Sequence, residues 1–213
     1  MGKDINPLNK LLRLITVNKL EKVCVEAGHI YCDQKPGAEH TIGFGIGSEI
    51  CNQLISKGIV PHRLVFIDNY NPEKNDFCLK NYIEVANSFQ FEPAEIVWEA
   101  DLVEEAEQLI QKLINADQTT NDQNGRLVTK KSSIKLRSSR GTVGCCALDA
   151  ALYVRRFKNY DFNITVLPKT NHQNYKDQQQ GVRRILRLLG YEKLNLANIF
   201  FSEDGSFTVG LAD

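Results

Sequence analysis

Residues 40–51 read HTIGFGIGSEIC, with glycines at 43, 45 and 47 between a short apolar run and the start of a helical pattern. Glycine has no Cβ, so backbone at such a place turns tightly and lets a ligand approach closely. The spacing is G-x-G-x-G with Ser48 in the sixth place, one residue short of the G-x-G-x-x-G dinucleotide fingerprint. On this reading Gly43, Gly45 and Gly47 form a strand-to-helix turn. The helix behind it carries Ile50, Cys51, Leu54 and Ile55 on one face, stops at Gly58, and offers free N–H groups and a positive dipole end to an anion or a sugar.

Working outward, RLVFIDN (63–69) is a continuous apolar run of the kind a parallel sheet buries, and AEIVWEA (94–100) is a second. Asn71-Pro72 starts a helix between them. A strong helix follows the second run, with Val103, Ala106, Leu109, Ile110, Leu113 and Ile114 in register. Residues 115–142 are polar and then basic, which fits a loop or a short hairpin of RLVTKK with SIKLR. Helices near 144–157 and 173–190 flank a strand at NITVLP (163–168). The chain closes with NIFFSEDGSFTVGL, two apolar runs joined at Asp204-Gly205, a strong hairpin signal.

Strands alternating with helices predict an α/β fold, a Rossmann-like three-layer sandwich with a mostly parallel sheet and a C-terminal antiparallel hairpin. Residues 8–28 carry Leu11, Leu12, Ile15, Leu20, Val23 and Cys24 at loosely helical spacing, and 28–39 contains Pro36-Gly37. The expected organisation is therefore an N-terminal helical extension over 1–39 and one α/β domain over 40–213.

The 213 residues are 42% hydrophobic and 24% charged, with 26 basic against 26 acidic side chains. That balance excludes a globally basic nucleic-acid binder, so any such contact must come from a local patch. No apolar run reaches the roughly 20 residues of a membrane span. The six cysteines show no CxxC pair, which fits the reducing cytoplasm. The four histidines lack metal-ligand spacing, so no metal is expected.

The glycine spacing, with Asp68 closing one strand and Asp101 following the next, resembles the Rossmann-type S-adenosylmethionine-dependent methyltransferases. The likeness runs on through DNYNPEKNDF (68–77) and LLGYEKLNLANIFFSEDGSFTVGL (188–211). It implies that Gly43, Gly45 and Gly47 lie against the cofactor's amino-acid portion, that Asp68 holds the ribose, and that Asp101 lies by the adenine. It also implies a fourth strand carrying an acid after the helix at 103–114, and methyl transfer to an acceptor the sequence does not name. GFGIGSEICNQLISKGI is similar to the first turn of nicotinamide-dependent dehydrogenases too, so NAD(P) is the alternative cofactor.

Other chemistry is thinner. Asp101 with Glu104 is also Asp-x-x-Glu ahead of an apolar helix, a capping box that by itself explains the acid. His172 and Lys169 follow a buried strand, where a histidine serves as general acid or base, although an exposed loop histidine is commoner. Cys145 or Cys146, behind Arg140 and Gly141, is a candidate nucleophile if not simply the start of an apolar face. The basic segment 126–140, with Lys130, Lys131, Lys135, Arg137 and Arg140, suits RNA, a phosphorylated substrate or a protein partner of a non-catalytic α/β binding protein, or a solvated loop.

Overall fold

A computed structural model describes residues 7–31, 38–68, 75–115, 119–121, 127–129, 145–168 and 172–211. The chain is α/β: six strands form one sheet, five of them parallel and joined in sequence through helices, the sixth added by a hairpin. The elements are α1 (Pro7–Val17), β1 (Val23–Tyr31), α2 (Ala38–Ile55), β2 (His62–Asp68), α3 (Asn75–Ser88), β3 (Glu95–Trp98), a 3-10 turn (Glu99–Leu102), α4 (Val103–Asn115), β4 (Thr119–Asn121), β5 (Leu127–Thr129), α5 (Cys145–Phe157), β6 (Phe162–Pro168), α6 (His172–Leu188), β7 (Leu196–Phe201) and β8 (Phe207–Leu211). The large sheet has the order β3-β2-β1-β6-β7-β8, with only β8 antiparallel to its neighbour. β4 and β5 pair separately.

The chain forms two compact units. The first comprises residues 1–98, 159–170 and 195–213 and holds the whole large sheet; the second comprises 99–158 and 171–194. In the first unit Val23, Val25 and Ala27 of β1 alternate onto the face that packs against α1 and α2. There they meet Leu8, Leu11, Leu12, Ile15, Ile50 and Leu54 in one core cluster. Burial of such side chains is the dominant favourable contribution, at roughly 25 cal/mol per Å² of apolar surface. The hairpin follows the Asp204-Gly205 signal: Gly205 takes φ of 79°, and the Ser206 N–H donates to the Asp204 carboxylate at 2.9 Å. In the second unit α4 packs on α5 and α5 on α6. Its core includes Leu109, Leu113, Leu148, Leu152, Val182, Ile185 and Leu186.

Helix ends show why some boundaries are visible in sequence. α2 and the helix α6 both finish at glycines with positive φ, Gly58 at 81° and Gly190 at 92°, each followed by an N–H that donates back to a carbonyl of the last turn: Ile59 to Leu54 and Tyr191 to Leu186. α1 and α3 end in the same way on Lys19 (51°) and Gln90 (55°), residues that announce no stop.

Three expectations are corrected here. First, residues 23–31 are not the tail of a leading helix and a loop. They are β1, paired in parallel with both β2 and β6, so the sheet begins inside the segment expected as an N-terminal extension. Second, 119–121, read as loop, is a strand that pairs antiparallel with 127–129; the expected partner SIKLR lies outside the described residues. Third, the sheet's fourth strand along the chain is β6, FNITVLP, which carries no acid.

Candidate functional site

In an open parallel sheet, ligands collect at the carboxyl ends of the strands, where the order reverses. Here the order reverses at β1, which lies between β2 on one side and β6 on the other. Register places Tyr31 beside Asp68 at the ends of β1 and β2, Ile67 beside Trp98 where β3 ends, and Pro168 beside Phe201 where β6 and β7 end. Asp68 is thus at a strand's carboxyl end on this edge, as the apolar run RLVFIDN implied.

The glycines are not where the sequence reading put them. Gly43, Gly45 and Gly47 lie inside α2, which begins at Ala38; the apolar residues ahead of them are helix, not strand. Their missing Cβ atoms are used against the protein itself. A Cβ on Gly43 would come 3.1 Å from the Ala27 carbonyl oxygen and 3.4 Å from the Phe201 ring. One on Gly47 would stand 3.2 Å from the Ala27 Cβ and 3.3 Å from the Phe91 ring, and one on Gly45 3.1 Å from the Phe89 ring. The bare backbone lets α2 seat closely on β1 and β7, a packing role that the G-x-G-x-G spacing alone does not distinguish from a ligand loop.

The remaining candidates separate. Asp101 lies in the 3-10 turn that leads into α4, and it is exposed. Cys145 and His172 are the first residues of α5 and α6. These three belong to the second unit, whereas Asp68 and the glycines belong to the first. Lys169 and the basic run Lys130, Lys131, Lys135, Arg137 and Arg140 lie outside the described residues. Cys146 is buried, as are Cys24 and Cys51, and none of the three is in a disulfide. Burial pushes the Cys51 thiol up to about 12, against the opposing pull of Arg63, which makes it a poor nucleophile.

Sequence reasoning missed a polar row within the sheet. Glu26, Thr165 and Asn198 are in register across β1, β6 and β7, and each is fully buried. The Thr165 hydroxyl donates to Asn198 Oδ1 at 2.7 Å. Nothing in the apolar-looking stretches KVCVEAG or FNITVLP advertises this, because alignment across strands is a tertiary fact. At the opposite edge His62, first in β2, pairs through Nε2 with Glu95 Oε2 of β3 at 2.9 Å, and its ring lies 5.3 Å from that of Tyr160. A recess among α2, α3, β2 and β3 is lined by Phe44, Val65, Ile67, Leu79, Tyr82 and Ile96, among others, and offers no charged or amide group. Among the described residues no helix is long and apolar enough to cross a membrane, and no cluster of three or more His, Cys, Asp or Glu is placed to hold a metal.

No family model and no curated protein matches the sequence. Solved structures do match the fold. The chain is similar to an arginyl-tRNA synthetase from Plasmodium falciparum, with TM-score 0.59 and 15% identity over 85% of this chain. It is also similar to a putative arginyl t-RNA synthetase from Campylobacter jejuni, with TM-score 0.63 and 12% identity over 97% of this chain. It spans 43% and 63% of the lengths of those two proteins. At such identities the likeness is one of fold.

Proposed function

We propose that the first unit binds an adenosine-bearing ligand at the carboxyl edge of its sheet, beside the reversal of strand order at β1. The observation that carries this reading is the order β3-β2-β1-β6-β7, since an open parallel sheet takes its ligands at the carboxyl edge where the strand order reverses. Asp68, at the end of β2, is the residue we assign to the ribose hydroxyls, since a carboxylate accepts two hydrogen bonds from a vicinal diol. The glycines of α2 take no part, because their open faces are filled by Ala27, Phe89, Phe91 and Phe201. S-adenosylmethionine, with methyl transfer as the reaction, and NAD(P) both carry the adenosine this edge suits, as does ATP. Methyl transfer relies mainly on positioning and so asks for few dedicated side chains.

Isothermal calorimetry with S-adenosylmethionine, NAD+ and ATP tests the proposal. At least one is expected to bind. Replacing Asp68 by Ala is expected to weaken it about ten-fold or more, the worth of a charge-assisted hydrogen bond. Silence with all three ligands removes the reading.

A second reading draws on the names of the two structural neighbours, both arginyl-tRNA synthetases. RNA is then a partner, with the segment 126–140 as its contact. tRNA retention on a filter should fall linearly in log–log terms with salt, and Lys130→Ala with Lys131→Ala should lower that slope by about 2. Salt-insensitive retention by both forms contradicts it.

A further inference from the structure

We infer that Trp98 is the platform on which the base of the nucleotide stacks, an assignment that rests on the proposed adenosine site. Trp98 is the only tryptophan of the chain and the last residue of β3. β3 is two strand positions from β1, past β2. Neighbouring strands lie about 4.8 Å apart, so the end of β3 is about 10 Å from the end of β1. A nucleotide that starts at the reversal point and leaves its ribose at Asp68 therefore carries its base onto β3. Register makes the step short: Trp98 sits beside Ile67, the residue before Asp68, and Asp68 sits beside Tyr31.

The ring suits the task. Trp98 alternates onto the same face as Ile96, and both pack against the core cluster of the first unit. Its indole is nonetheless only partly buried, unlike Val97 of the same strand, which is 4% exposed. An aromatic held by packing and still open to solvent loses little freedom when a base lands on it. Stacking reads the π-face of any base and needs no hydrogen-bond code, so the platform adds affinity for the adenine of the proposed adenosine ligand without selecting it among bases. An ordinary Rossmann-like strand end needs only an apolar residue at this position to close the core.

The lone tryptophan is also the reporter. Wild-type protein is titrated with ATP, S-adenosylmethionine and NAD+ by calorimetry and, in parallel, by indole fluorescence. The expected result is quenched emission with the same midpoint as the heat signal. Affinity should fall about ten-fold in Trp98→Leu, which keeps apolar bulk, and be largely kept in Trp98→Phe, which keeps a ring. Far-ultraviolet circular dichroism of both variants shows that they are folded, and Phe against Leu is the deciding pair even where Trp98→Ala does not fold. Binding heat with unchanged emission, or equal affinity in the Phe and Leu variants, overturns the stacking assignment and leaves the adenosine site standing. Absence of binding heat in the wild type overturns the adenosine site itself, and this assignment with it.

Discussion

Helices α2 and α4 differ in how they meet their cores, and the difference explains which parts of this protein can be read from its sequence. α4 presents Ala106, Leu109 and Leu113 to the interior and Glu104, Glu107 and Gln108 to solvent, a one-sided stripe at helical period. α2 also buries Phe44, Ile50 and Leu54, but beside them it is seated on the sheet through glycines. Gly43 and Gly47 face Ala27 of the central strand at distances of 3.1 and 3.2 Å from an added Cβ, tight enough to crowd a methyl group. A stripe is a statement about one helix and water; a glycine seat is a statement about one helix and a particular strand. The first is written in the local sequence, the second is not.

The comparison can be tested from its strong end to its weak one. Leu113→Ala on α4 empties a site that is 3% exposed and should cost about 2–5 kcal/mol in urea unfolding. On α2 the informative change is alanine at each glycine. In an ordinary helix interior this gains about 1 kcal/mol. At Gly43 and Gly47 the new methyl meets the Ala27 backbone oxygen or its Cβ, neither of which can swing aside, and overpacking of about 1–3 kcal/mol should turn the gain into a net loss. At Gly45 the only obstacle is the half-buried ring of Phe89, which can rotate, so Gly45→Ala should be neutral or mildly stabilising. If all three alanine variants melt higher than wild type, the glycines are not a packing seat and their role at a ligand must be reopened.

The smallest effect concerns the strand on which α2 sits. The Asp161 carboxylate accepts from the Lys22 and Glu21 N–H groups at 3.0 and 3.1 Å, tying the entry of β1 to that of β6. The Lys22 N–H above all holds its carboxyl below the usual range, against a small opposing effect of burial. A lowered folded-state value means that the stabilisation is complete above the unfolded carboxylate pKa, near 4, and is lost as pH falls through the folded value. Urea midpoints of wild type and Asp161→Asn should therefore differ slightly at pH 7 and converge toward pH 3. Because the group is almost fully exposed, the gap is expected to be small. A gap that widens with acid contradicts this account of Asp161.

Much of the architecture was legible. RLVFID became β2, EIVW became β3, and NITVLP with the preceding Phe became β6, because buried parallel strands are short, continuous and β-branched. The Asp-Gly turn and the glycine stops at 58 and 190 are equally local, since only residues free of a Cβ penalty adopt positive φ readily. VCVEAGHIY was not legible as a strand: its acid, its glycine and its histidine interrupt the apolar run. Its burial as the sheet's central strand depends on partners about 40 and 140 residues away, at β2 and β6. Asp68 could be placed at a strand end from its own neighbours, whereas Trp98 beside Ile67 needed the register of β3 on β2.

Local pattern was enough to establish the α/β class, most of the strands and the closing hairpin, because period, turn chemistry and capping act over a few residues. Folding alone settled what the glycines of 43–47 do and which strand lies at the centre. Both depend on what a backbone meets from far along the chain, and a missing Cβ looks the same in sequence whether a cofactor or an alanine of β1 fills the space.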